Sequence, residues 1–195
     1  MKGWKLTIVI SGALLILFGL QLAFYGTGEE GIRVVVRGTA RTSVVLFALA
    51  FGASSLRAFW RARATRWLLA NRRYIGVSYA VSHVIHALAL AALYPESEDF
   101  RSGLNAVTLV GGGLAYVFTL AMAFTSSDAA VAALGLGRWR LLHTIGGWYI
   151  WLIFTQSYLP RAIQMSAYMP AAALLIALAA ARLASRSRRS IPARA

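Results

Sequence analysis

The chain has 195 residues, 59% of them hydrophobic and 13% charged, with a mean hydropathy of +0.65 and a formal net charge of +14 at pH 7. Soluble domains hold about 45–50% apolar residues, so the surplus faces something other than water, and the basic residues sit at the ends of long uncharged runs, which favours arginines anchored against anionic lipid over a nucleic-acid surface. The chain has no cysteine, which excludes disulfides, thiolate metal sites and iron–sulfur clusters held by its own residues.

A bilayer-spanning helix needs about 20 predominantly apolar residues, and six runs answer to that. The first covers 6–25 and follows Lys2 and Lys5. It is longer than a signal-peptide core and ends without a small-residue cleavage site, so it reads as a retained helix. The second covers 39–59, with Arg41 and Arg57 snorkelling from a short uncharged centre to opposite interfaces. The third covers 74–94 and is closed by Pro95, and the fourth covers 104–124 and contains Gly111, Gly112 and Gly113. These glycines suit ordinary helix packing, or the close approach of a flat cofactor. The fifth covers 139–159 and is closed by Pro160, and the sixth covers 167–184, rich in Ala and Leu. The expected fold is all-α: a polytopic membrane protein, a six-helix bundle forming a single transmembrane domain over 1–195. No internal repeat, soluble domain or nucleotide-binding loop is apparent.

Charge orients the bundle. Segment 57–73 holds six arginines and no acid, the tail after Ala181 holds five, and the link 126–140 sets Arg138 and Arg140 against Asp128. With the N-terminus inside, all three fall on the cytoplasmic side. The loops 26–31 and 95–103 fall outside, with five of the six acids: Glu29, Glu30, Glu96, Glu98 and Asp99. Both termini are therefore expected in the cytoplasm. Arg33, Arg37 and Arg41 depart from the rule. Their spacing of four puts them on one helix face, as an interfacial amphipathic turn or as a cluster for an acidic group such as a haem propionate or a partner surface.

The chemistry available inside the bundle is narrow. The histidines are His83 and His86 in the third run and His143 in the fifth. An ionisable residue in a membrane helix is a functional hypothesis by default, and neutral imidazole is a frequent haem-iron ligand. Interhelical hydrogen bonding is the competing role. No carboxylate lies within the apolar runs to act as general acid or base, and neither a Ser-His-Asp set nor an HExxH zinc motif is present. The chain thus reads as one that binds a cofactor rather than one that turns over a substrate with its own side chains.

The stretch Asn71-Arg72-Arg73-Tyr74-Ile75-Gly76-Val77, followed by His86, resembles the "RR-x-LGL … LH" segment of the ferric reductase-like transmembrane domain family. Leu134-Gly135-Leu136-Gly137-Arg138-Trp139-Arg140-Leu141-Leu142-His143 resembles the "LG-x-RW-x-x-LH" entry to the fifth helix in a bacterial branch, the membrane haem subunits of periplasmic methionine-sulfoxide reductase systems. The resemblance spans about 37–160. It implies haem b between the third and fifth helices, with His86 and His143 at the iron-ligand positions and no counterpart for His83. It implies electrons from a cytoplasmic flavin reductase or from quinol, passed to a protein partner on the outer side. The chain has no site of its own for flavin or NAD(P)H, so it would be at most the electron-transfer subunit of an oxidoreductase, in the bacterial inner membrane.

Two positions depart from the family pattern. Gln156 stands where a further histidine follows the one at 143, and Arg72 stands where larger relatives place one before the histidine at 86. A rise of 1.5 Å per residue puts His86 about 18 Å above Tyr74, but His143 only about 6 Å above Trp139. Two imidazoles on one iron bring their nitrogens within about 4 Å, which this pair does not achieve in the simplest geometry. Three arrangements stay open: a haem at the outer level on His86 with Gln156 opposite, a haem at the inner level on His143 with His83 assisting, or a chain that kept the fold and lost the haem. The last would be a structural membrane subunit binding a partner complex or lipid. A small-solute transporter is disfavoured, because the core lacks charged coupling residues and no inverted repeat is found.

Overall fold

The computed structural model describes residues 2–190. Arg194, counted above among the basic residues of the tail, lies outside the described residues. The architecture is all-α: α1 (Trp4–Tyr25), α2 (Glu29–Phe59), α3 (Arg63–Glu96), α4 (Glu98–Gly103), α5 (Ala106–Phe124), α6 (Asp128–Leu134), α7 (Leu136–Gln164) and α8 (Met169–Ser190), with a 3-10 turn at Ser166–Tyr168. No strand occurs among the described residues.

Five segments are long and apolar enough to cross a membrane: α1, α2, α3, α5 and the segment Ser166–Ser185. Large apolar side chains stand on the outer surface of the bundle, Ile8, Val110 and Ile163 among them. A surface of this kind is stable only against lipid, and the chain is an integral membrane protein. The expected fifth span lies within α7. That helix has 29 residues, but Trp148, Tyr149, Trp151, Gln156 and His143 make it less apolar than the other five.

Several helices outrun the expected spans. Helix α2 begins ten residues before residue 39, and α3 begins eleven before residue 74. At 1.5 Å per residue α2 is about 46 Å long, against about 30 Å of hydrocarbon. Hydropathy registers only the part in the core, whereas the backbone stays helical into the interface. Helix α7 likewise runs through Pro160 to Gln164. At the end of α3, Arg101 of α4 donates to the carbonyls of Tyr94 and Pro95 at 2.9 Å each, two of the last four carbonyls that the helix end leaves without backbone partners.

The two ends of the bundle are identified by contacts. At one end Gly3 N–H donates to Asn71 Oδ1 (3.1 Å), Arg73 pairs with Asp128 (2.5 Å), and Ser55 meets Ser185 (3.2 Å). At the other, Arg33 pairs with Glu29 (2.7 Å) and donates to Ser97 Oγ (2.7 Å). Helices α2 and α3 form the central seam. Thr42 and Ser43 both reach Ser82 across it, at 2.8 and 3.0 Å, and Gly76 faces Ala50. Small residues let the two backbones approach, and the hydroxyls satisfy one another where water is absent. Helix α7 closes on α5 at Gly146, where an added Cβ would stand 2.6 Å from Met122 Sδ.

Candidate functional site

Between α2, α3, α5, α7 and α8, at the end of the bundle that holds Asn71 and Asp128, lies a cavity of about 620 Å³. Cofactor and small-molecule pockets run from roughly 300 to 1,000 Å³. Its aromatic wall is Phe47, Phe51, Tyr79 and Trp139, and Gly76 and Gly147 keep two helix backbones low against it. Four arginines border it from three helices: Arg72 and Arg73 on α3, Arg140 on α7 and Arg182 on α8. No carboxylate lies among the lining residues.

The arginines differ in what they touch. Arg73 is turned to Asp128, and its hydrogen bond is the main reason that the Asp128 carboxyl is held below the usual carboxylate range. Arg182 donates to the Phe51 carbonyl at 2.6 Å and lies over the Phe51 ring, 4.1 Å from its centroid. Among the described residues, no carboxylate lies within ion-pair distance of Arg72 or Arg140. The short helix α6 roofs the mouth through Val131. Its start is capped by Ser127, which accepts from Ala130 N–H at 3.1 Å, and Gly135 (φ 76°) turns the chain back into α7.

His143 is the histidine on this cavity. Helix α7 carries it one turn above Trp139, whose ring packs 4.3 Å from the imidazole. Trp139 Nε1 in turn donates to the Thr125 carbonyl at 2.9 Å, and Thr125 Oγ1 lies 3.2 Å from His143 Nε2. His143 is thus held at Nε2 by Thr125, which leaves Nδ1, the more crowded ring nitrogen, as the one without a hydrogen-bond partner among the described residues.

His83 and His86 lie elsewhere, and neither lines this cavity. Their rings stack on each other with centroids 5.6 Å apart and planes 17° apart. Parallel stacked rings do not aim two nitrogens at one metal. His83 is sandwiched further by Tyr116 (4.5 Å) and Tyr79 (5.3 Å), and its buried Nδ1 has no hydrogen-bond partner among the described residues. His86 Nδ1 meets Thr39 Oγ1 at 2.8 Å. Arg72, which borders the cavity with His143, precedes His86 by fourteen residues on α3, about 21 Å of helix. The structure brings His83 and His86 together and leaves His143 at the other level.

The remaining expected positions are dispersed. Gln156 is exposed and lines a shallow groove between α5 and α7, with Gly111 and Tyr149 and without a histidine. Gly112 and Gly113 face open space. Arg33 is occupied by Glu29 and Ser97, while Arg37 and Arg41 are exposed on α2. From the sequence, Arg72, Arg73 and Arg140 are motif positions and positive-inside charges, and Arg182 is a charge of the tail; none is expected to border a common cavity. Their convergence on one cavity depends on helix rotation. The signal available for it was that Arg72 and Arg73 belong to one motif and His143 to the other.

Over 119 residues, 60% of this chain, the sequence is 29% identical to the haem-binding subunit MsrQ of protein-methionine-sulfoxide reductase from Azospira oryzae. The match takes in 50% of that protein, so the chain spans about half the length of the curated relative it matches. No family model and no solved structure matches the chain.

Proposed function

We propose that this protein is a membrane haem-binding electron-transfer subunit whose haem occupies the inner cavity. The observation that carries the reading is the cavity itself, where an oriented histidine, an aromatic wall and two arginines without carboxylate partners among the described residues converge. The likeness to MsrQ supports the same cofactor. The residues fit the group in kind: His143 is the iron ligand, Arg72 and Arg140 face the acidic side chains of the porphyrin, and Phe47, Phe51 and Tyr79 exclude water from its apolar body. Haem supplies a one-electron carrier in a layer where this chain has no other redox group. Thr125 and Trp139 hold the His143 ring, and the Arg73–Asp128 pair keeps α6 over the mouth.

The accompanying topology is six crossings with both ends cytoplasmic, in a bacterial inner membrane. It is supported by the contacts that put Gly3 and Ser185 at the arginine-rich end, which requires an even number of crossings. Quinol or a cytoplasmic flavoprotein is then the electron source, and a protein partner on the outer side is the acceptor. Anionic lipid meets the arginines of the inner rim.

A second haem position at His86 has one observation in its favour: Thr39 holds Nδ1 and leaves Nε2 for a ligand. Haem content separates the two. The full chain, expressed with added haem precursor, should give a reduced-minus-oxidised haem spectrum. His143→Ala should lower haem per chain about tenfold or more, and His86→Ala should leave it within about twofold. The reverse pattern would move the site to the outer level, and a colourless wild-type protein would leave the structural-subunit reading.

A further inference from the structure

Helix α2 leaves one stripe uncovered. Arg37, Arg41, Val45 and Leu49 follow one another at a spacing of four, and all four are exposed. The stripe is basic toward the end that holds Ser97 and apolar toward the middle of the bundle. Helix α7 brings a third cation to the basic part. Phe51 stands 3.4 Å from a Cβ added at Gly147, and the Phe47 and Phe154 rings lie 5.3 Å apart, so the side chains of the two helices meet in antiparallel order. Followed in that order, α2 reaches Arg41 where α7 reaches its end. There Arg41 and Arg161 both stand close enough to the hydroxyl of the buried Tyr158 for their charges to act on it. Among the described residues, no carboxylate lies within ion-pair distance of Arg37, Arg41 or Arg161; Glu29 and Glu98 are taken by Arg33 and Arg101.

The depth of the stripe selects its occupant. Arg41 and Arg57 are sixteen residues apart on α2, about 24 Å of helix against about 30 Å of hydrocarbon. With Arg57 at the opposite boundary, the Arg41 backbone lies inside the hydrocarbon layer, and its side chain reaches up to the phosphate level. Arg37, one turn further, stands at that level. A folded partner in the water phase does not reach this depth, whereas a lipid phosphate stands there. We propose that Arg37, Arg41 and Arg161 bind the headgroup of an anionic phospholipid, with its acyl chain along Val45 and Leu49. Guanidinium groups meet phosphate oxygens through paired N–H donors. An anionic headgroup carries no ammonium to compete for that phosphate, which sets it above a zwitterionic one. The inference does not depend on a haem.

The test uses the full chain in lipid vesicles, with a fluorophore on Val45→Cys, the one cysteine that the chain then has. Quenching by phosphatidylglycerol brominated in its acyl chains is compared with quenching by the same amount of brominated phosphatidylcholine. Phosphatidylglycerol should be preferred about fivefold, the factor expected for one arginine at a membrane surface. Arg41→Gln and Arg161→Gln should each lower the preference to about twofold or less. Arg41→Lys should keep part of it, and Arg66→Gln, exposed at the opposite end of the bundle, should leave it unchanged. Quenching by phosphatidylcholine should persist in every variant, which shows that the stripe still faces lipid. A preference that Arg41→Gln and Arg161→Gln leave intact overturns the site. Equal quenching by the two lipids also overturns it, and soluble polyglutamate bound less well by Arg37→Gln would then favour an acidic protein surface. Loss of the preference in excess inorganic phosphate would assign the arginines to a free anion instead of a lipid. A label that neither lipid quenches would show the stripe covered by protein and overturn the proposal.

Discussion

His86 and His143 show how differently one residue type is used within a single bundle. His86 sits at the α2–α3 seam, bonded to a Thr39 hydroxyl that is fully buried and also donates to the carbonyls of its own helix. His143 sits on a cavity wall with one nitrogen turned to Thr125. Removing the Thr39 hydroxyl leaves the His86 ring without this partner in a place water does not reach. Thr39→Val should therefore destabilise the protein by about 1 kcal/mol, and Thr39→Ser by much less. Thermal unfolding in detergent measures both, and a Val variant as stable as wild type would show that the bond contributes nothing. These roles were only partly legible beforehand. Histidines in apolar runs announce themselves, and helical rise already separates positions 86 and 143 by level. Which neighbour holds each ring depends on the rotation of α2 and α5, and hydropathy does not encode it.

At the scale of elements, the apolar runs located the helices, but their ends extended into the interface where charge no longer stops a helix. Pro95 and Pro160 were read as terminators, yet both lie inside helices, one residue and four residues before the end. Near the interface a proline's lost backbone bond is tolerated, and the last carbonyls of a helix find side-chain donors, as Arg101 supplies to Tyr94 and Pro95. Of the three adjacent glycines, Gly111 packs on α7, its carbonyl accepting from the Tyr149 hydroxyl at 3.1 Å, whereas Gly112 and Gly113 face open space. The tighter contact of α7 with α5 is at Gly146. An Ala at 146 would press on Met122 and on Phe118, the latter 3.1 Å from the added Cβ. Met122 is flexible and Phe118 less so, so Gly146→Ala should cost roughly 1–3 kcal/mol by overpacking. Gly113→Ala, in open space, should be neutral. Equal thermal midpoints for the two variants would contradict the α5–α7 contact.

At the scale of the molecule, charge asymmetry and contact geometry agree. The arginine-rich segments gather with Gly3, Asp128 and Ser185, and the acidic loops gather with Ser97. A chain without cysteine allows a direct measurement of sidedness. In intact cells, an impermeant maleimide should label Ser102→Cys, whereas Ala129→Cys should react only after the membrane is opened. Both substituted positions are exposed. The reverse pattern would invert the topology, and labelling of both in intact cells would break the six-crossing account. What the whole molecule adds to its parts is the cavity beside His143. Six helices contribute to it, α6 through Val131 alone.

The central claim is that His143, not His86, carries the haem. Haem per chain in His143→Ala and His86→Ala, read from the reduced-minus-oxidised spectrum of purified protein, tests it most directly. The account predicts a nearly haem-free His143 variant beside a His86 variant close to wild type. A haem-free His86 variant beside a fully loaded His143 variant would contradict it.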